Sequence, residues 1–225
     1  MNIVFDLDGT LIDSAPDIQS VAATILGRHG RDKLTLQETR AFIGEGSAVF
    51  VSRMMAARDI DRTAESCAVI HQEFVAQYEF AVDKAVFYPG VPGALAALKS
   101  AGYRLGLCTN KPERPTLAVL RYMDMTGFFD AVTAGGMISR RKPEPDMLLH
   151  TIQALGGGAA LYVGDSEIDA QTAERAKVPF ALYSEGYRKT PVSEMRHDWV
   201  FDNFAALQGI VAEAVARSAP PGAPR

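Results

Sequence analysis

The 225-residue chain has two cysteines, one tryptophan, four histidines and no surplus of positive charge. Each shortage excludes something. Cys67 and Cys108 stand in the apolar runs Ser66-Cys67-Ala68-Val69 and Leu105-Gly106-Leu107-Cys108, with no metal-type pairing between them. A disulfide scaffold and a thiolate zinc site are therefore out, and the two read as small buried hydrophobes in a reducing compartment. Lys and Arg number 23 against 27 Asp and Glu, a formal net charge of -4, which offers no cationic face for duplex nucleic acid or anionic lipid. No apolar run reaches the roughly 18 residues of a membrane span, and the start Met1-Asn2-Ile3-Val4-Phe5-Asp6 lacks the basic region and long apolar core of a secretory leader. His29, His71, His150 and His197 are scattered without ligand spacing and read as surface or helix-end residues. The expectation is a soluble cytoplasmic protein, monomer or homodimer, with neither nucleic acid nor membrane as partner.

What is present is ordinary globular composition, 48% hydrophobic and 22% charged, in a length that suits one substantial domain and a smaller insert. Ile3-Val4-Phe5 is a short, unalternating run of β-favouring residues, the pattern of a parallel strand buried on both faces. Similar runs recur at Tyr103 to Cys108, Ala160 to Val163 and Val178 to Leu182, and more weakly at Ala131 to Thr133 and Trp199 to Phe201. Helical patterns separate them, at Val91 to Ala101, Pro115 to Met125, Pro145 to Leu155 and Ile168 to Ala176. Strands alternating with single helices predict a mostly parallel α/β sheet. Ser14 to Val86 breaks the rhythm, with helical stripes (Ile18, Val21, Ala22, Ile25, Leu26; Cys67, Ile70, Phe74, Tyr78) and a capping-box spacing at Thr35 to Glu38. It reads as a helical domain of residues 14–85 inserted into a core of residues 1–13 and 86–217. The Pro/Ala-rich tail from Ser218 to Arg225 reads as disordered.

Four segments carry chemistry. Asp6-Leu7-Asp8-Gly9-Thr10 follows the first strand, where open α/β sheets hold ligands; taken alone, ordinary Asp-Gly turn chemistry is the better account of it. Thr109-Asn110-Lys111, just past another strand, offers a hydroxyl and main-chain N-H groups suited to phosphate. Lys142-Pro143 follows Arg140 and Arg141, a basic run of which two members read as solvated surface. Gly164-Asp165-Ser166 ends a further strand, with Asp169 about one helical turn on. In a parallel sheet three of these meet on one rim, with Lys142 in a loop free to join them. An oxygen-rich cluster of carboxylates with no His or Cys nearby suits Mg2+.

These four segments, in this order, resemble the motifs of the haloacid dehalogenase superfamily of aspartate-nucleophile phosphatases. The resemblance covers the chain apart from its tail and implies a Rossmann-like α/β core with an inserted all-helical cap of the C1 type. Phe42-Ile43-Gly44-Glu45-Gly46, Phe87-Tyr88-Pro89-Gly90 and Thr109-Asn110-Lys111-Pro112 are similar to the phosphoglycolate phosphatase branch. What the resemblance implies is a Mg2+-dependent phosphomonoester hydrolase acting on a small phosphorylated metabolite. Asp6 would be the nucleophile that forms an aspartyl-phosphate, and Asp8 the general acid and base. Thr109, Asn110 and Lys142 would bind the phosphoryl group; Asp6, Asp8 through its main-chain oxygen, and Asp165 would hold the metal. Asp169 would steady the metal waters or Lys142, and Gly44, Glu45 and Gly46 would sense the substrate. Asp8 speaks for phosphoryl transfer over dehalogenation. A β-phosphoglucomutase-like enzyme, a phosphatase for pyrophosphate, nucleotides or sugar phosphates, and a non-catalytic phosphate-binding module stay open. Arg53 and Lys84, in the helical region, could meet a substrate carboxylate, or be solvated helix charges.

Overall fold

A computed structural model of the chain describes residues 1–218. Strand β1 (Asn2–Phe5) is followed by the short β2 (Ile12–Asp13), then by helices α1 (Ala15–Arg28), α2 (Leu36–Phe42), α3 (Ser47–Ala57) and α4 (Ala64–Tyr78), and by β3 (Val86–Phe87). The remainder alternates: α5 (Val91–Ser100), β4 (Arg104–Pro112), α6 (Glu113–Tyr122), β5 (Ala131–Gly135), α7 (Asp146–Ala154), β6 (Ala160–Gly164), α8 (Glu167–Ala176), β7 (Phe180–Tyr183), β8 (Trp199–Phe201) and α9 (Leu207–Ser218).

The predicted parallel α/β sheet is there, six strands in the order β5-β4-β1-β6-β7-β8. β1 is buried at all four positions and lies between β4 and β6, Phe5 opposite Leu107 on one side and Val163 on the other. Alternate residues face opposite layers. Ile3 and Phe5 pack with Leu95 of α5, Val119 of α6 and Leu207 and Val211 of α9, whereas Val4 packs with Met147 and Leu148 of α7 and Ala170 and Ala173 of α8.

Helices α1 to α4 carry an apolar core of their own. In it Phe50 and Phe74 stack with ring centroids 5.2 Å apart, and Phe74 meets Tyr78 at 5.4 Å. The Thr35 spacing is a true capping box: the Glu38 N-H donates to Thr35 Oγ1, and Glu38 Oε2 accepts from the Thr35 N-H. The helices leave and rejoin the sheet side by side, because β2 pairs antiparallel with β3.

Two expectations need correction. Thr109, Asn110 and Lys111 are not a turn beyond the strand; β4 continues through them to Pro112. Its register against β5 shifts between Cys108 and Pro112, and the backbones run so close that a Cβ at Gly135 would lie 2.6 Å from the Asn110 carbonyl oxygen. Ser218 closes α9, its hydroxyl donating to the Ala214 carbonyl at 3.0 Å, so it is no part of a disordered tail. The rest of that tail, 219–225, lies outside the described residues. Among the described residues no helix is long and apolar enough to cross a membrane.

Candidate active site

Two neighbouring strands and the helix after one of them deliver the acids to one rim. Asp6 follows β1 directly, Asp165 follows β6, and Asp169 sits one turn into α8; carboxylate oxygens of all three lie within 4.8 Å of one another. The chain after Asp6 turns over Asp165 only because residue 9 is glycine. Gly9 has φ +90°, and a Cβ on it would stand 2.5 Å from Asp165 Oδ2. Asp165 is fixed from two sides, accepting from the Thr10 hydroxyl at 2.7 Å and from the Tyr187 N-H at 2.6 Å.

Lys142 joins this cluster, whereas Arg140 and Arg141 are exposed. Only 2% of its side chain is exposed, and its Nζ lies 2.8 Å from Asp6 Oδ1 and 2.7 Å from Asp169 Oδ1. Asp169 divides its work. Oδ1 takes Lys142 and the Tyr162 hydroxyl, both at 2.7 Å, while Oδ2 accepts from Ser166 Oγ at 2.6 Å and caps α8. These bonds outweigh burial and hold the Asp169 carboxyl below its ordinary value. Burial would lower the Lys142 ammonium, but Asp169 and Asp6 hold it above the ordinary lysine value.

Asp6 and Asp165 fare differently. Burial pushes Asp6 up to about 7 despite Lys142, and Asp169 adds to the rise. Burial, then the negative charges of Asp169 and Asp6, raise Asp165 well above the carboxylate range. Asp6 Oδ1 is buried beside Lys142 Nζ, at 2.8 Å, and accepts from no backbone N-H or hydroxyl among the described residues. Three carboxylates facing one ammonium leave two negative charges unanswered when all are ionised. A buried oxygen donor set with that excess of negative charge fits a hard divalent cation. The expectation that no cysteine lies nearby fails, since buried Cys108 stands close enough to feel Lys142, Asp6 and Asp169. Burial pushes its thiol up to about 12, which makes it a poor ligand.

Asp8 lies across the cleft from the helical layer. Its Oδ1 accepts from the Ser14 hydroxyl at 2.6 Å and from Lys111 Nζ at 3.1 Å. Ser14 thereby stands at the N-cap of α1 without capping it, and the first free N-H of the helix, on Ala15, goes to Asp13 Oδ1 at 3.2 Å and to the Tyr187 hydroxyl at 3.1 Å. Asp6, Asp8, Thr109, Asn110, Lys111 and Lys142 line one wall of the cleft, and Gly44, Gly46, Phe50, Phe74 and Tyr78 line the other. The Asn110 side chain is spent on bridging, donating to the Gly44 and Lys142 carbonyls and accepting from the Lys142 N-H. Any anion at Asn110 would therefore meet its main chain.

Of the glycine loop, Gly44 and Gly46 face the cleft, whereas Glu45 turns its carboxylate to Arg53. Arg53 is thus engaged, and Lys84 Nζ rests 2.7 Å from Ser20 Oγ; neither lines the cleft. Sequence reasoning placed Lys111 in a chemistry-bearing segment but gave its side chain no role, and read Tyr78 only as part of an apolar stripe. His71, expected at the surface or a helix end, meets Ser47, a residue of the cleft lining, at 2.8 Å. For Tyr162 a signal existed: a phenol in the middle of a wholly buried strand demands a polar partner.

The same fold and length recur in known proteins. A family model described as haloacid dehalogenase-like hydrolase matches residues 3–183. A phosphoglycolate phosphatase of Rhodobacter capsulatus is 41% identical over 209 residues, spanning 93% of this chain and 95% of its own. One of Cereibacter sphaeroides is 42% identical over 217 residues, spanning 95% of this chain and 99% of its own. A crystal structure of a "predicted phosphoglycolate phosphatase" from Haemophilus somnus superposes with a TM-score of 0.87 at 27% identity, covering 93% of this chain and 97% of its own. With likeness this complete, the chain is a phosphoric monoester hydrolase and belongs to the haloacid dehalogenase-like hydrolase family.

Proposed function

We propose that the enzyme hydrolyses phosphoglycolate or a similarly small phosphate ester through an aspartyl-phosphate on Asp6. The observation that carries this reading is the pairing of Asp6, seated between Lys142 and Asp165, with Asp8 on the same cleft wall. Among the described residues every hydrogen bond to the Asp8 side chain ends on Oδ1, so Oδ2 is uncommitted. Asp6 attacks phosphorus as the bond to the ester oxygen breaks, and Asp8 gives its proton to the departing alkoxide. Water then attacks the aspartyl-phosphate while Asp8 takes the proton back; inorganic phosphate leaves and Asp6 is regenerated. Thr109, the Asn110 main chain and Lys142 hold the phosphoryl oxygens throughout. Mg2+ held by Asp6, the Asp8 main-chain oxygen and Asp165 would supply the neutralising charge that lets one anion approach another. Asp169 holds Lys142 beside Asp6. In this reading residues 14–85 are a cap over a core of 1–13 and 86–217, with Gly44, Glu45 and Gly46 as its substrate-sensing loop, and the enzyme works in the cytoplasm.

A steady-state comparison tests the substrate. With Mg2+ present, kcat/KM for 2-phosphoglycolate is expected to exceed that for hexose phosphates, nucleotides and pyrophosphate by at least about tenfold, the difference one good polar contact makes. Faster hydrolysis of a hexose phosphate, or transfer of the phosphoryl group to a sugar hydroxyl, contradicts the reading.

Metal removal has a pH signature. Between the ordinary value of 3.8 and about 7 the native Asp6 keeps a proton that the unfolded chain has released. Stability without metal therefore falls as pH rises across that interval, by about 1.4 kcal/mol per pH unit for one proton, and Asp165 acts in the same direction. A bound divalent cation abolishes that loss. Thermal unfolding in EDTA and in Mg2+ is expected to differ more at about pH 7.5 than at about pH 5; an equal gain at both contradicts a cation on these carboxylates.

A further inference from the structure

Lys111 is a buried cation with a donor to spare. Its side chain is 2% exposed, yet it lines the cleft. An ammonium has three N-H donors. One goes to Asp8 Oδ1 at 3.1 Å and one to the Tyr78 hydroxyl, whose ring also lies under the ammonium with its centroid 4.0 Å from Nζ. The third has no partner among the described residues. Among the described residues the cleft is lined by one other cation, Lys142, which stands between Asp6 and Asp169 and is taken up by the phosphoryl group in the reading above. Around Lys111 the wall is apolar, made by Ile18, Phe50 and Phe74, so an anion paired there would be out of competition with water.

Resting on the phosphatase reading above, we propose that Lys111 binds a carboxylate carried by the leaving group and so selects short esters whose alcohol is itself an anion. The spacing sets the length. Asp8 must touch the ester oxygen to protonate it, and Lys111 is one hydrogen bond away from Asp8. A carboxylate held by Lys111 therefore belongs within a carbon or two of the ester oxygen. A hexose offers only hydroxyls at that distance, and an amine there meets a like charge.

Phosphate release from 2-phosphoglycolate, from its neutral amide of the same shape, and from phosphoethanolamine tests this directly. The parent enzyme is expected to prefer acid to amide, and amide to amine. In Lys111→Met the preference for acid over amide is expected to shrink by roughly 30- to 100-fold, the worth of a charge-assisted hydrogen bond, mainly through KM. Lys111→Arg, which keeps the charge, restores part of the preference. A parent enzyme that treats acid and amide alike overturns the inference even if Lys111→Met does not fold, while leaving the phosphatase reading intact. Equal losses on both substrates in the Met variant also overturn it, and reduce Lys111 to positioning Asp8. Failure of the parent to hydrolyse any of these esters or p-nitrophenyl phosphate removes the phosphatase reading itself.

Discussion

Asp6→Asn is expected to lower turnover by on the order of 10^5-fold, the scale seen when a covalent nucleophile is removed. The amide has nearly the same shape, so the packing around β1 is untouched. It also withdraws a buried carboxyl from the neighbourhood of Asp165 and Asp169; burial first, and then the neighbouring negative charges, raise Asp6 and Asp165. Lys142 keeps its 2.7 Å contact with Asp169. Thermal stability is therefore expected to stay level or rise while activity vanishes. Phosphate release, thermal unfolding and intact-protein mass after an acid quench measure the three consequences together. The parent enzyme should carry a phosphoryl adduct during turnover and the variant none. An Asn variant whose rate stays within about tenfold of the parent would mean that phosphorus is attacked by another group.

Asp8→Asn is expected to cost about 10^2- to 10^4-fold on alkyl phosphates, the range of a general acid or base. Its signature is more telling than its size. p-Nitrophenolate leaves without needing a proton, so formation of the aspartyl-phosphate survives with that substrate. The second half-reaction still lacks the base that activates water. The variant should give a burst of one p-nitrophenolate per active site and then slow sharply, with the phosphoryl adduct accumulating on Asp6. The Ser14 hydroxyl and Lys111 both lie on Oδ1, and the Asn side chain retains an oxygen able to accept from them, so the loss is chemical, not structural. Proportional loss on both substrates, with no burst, would assign Asp8 to binding.

Much of the fold was legible because burial on both faces leaves an unmistakable trace. Ile3-Val4-Phe5 and Leu161-Tyr162-Val163 could pair only in the middle of a sheet, and there they are. The acids at 6, 165 and 169 were legible for a related reason: polar residues that end a buried strand must emerge at its rim. The end of β4 was not, because its continuation through Thr109 to Pro112 depends on a register shift against β5 and a close approach at Gly135, and neither is written locally. The Lys111 side chain was given no role because its burial depends on Tyr78, a residue of another layer that counts as plain core within its own helical stripe. Arg53 and Lys84 drew attention in its place as free charges, but their partners, Glu45 and Ser20, come from the same helical layer. Pairings across layers decide such cases, and periodicity within one element does not contain them.

The start of α1 has a bearing on how the molecule comes into being. Ser14 withholds its hydroxyl from the helix and lends it to Asp8, and the Ala15 N-H is shared between nearby Asp13 and Tyr187, 172 positions further along. β1 likewise waits for strands that begin at Arg104 and Ala160. On the ribosome, then, Asp6 and Asp8 are made well before the strands beside β1 and the Tyr187 segment that pack against them, so the two acids meet their surroundings only once residues as far as 187 have been joined to the chain.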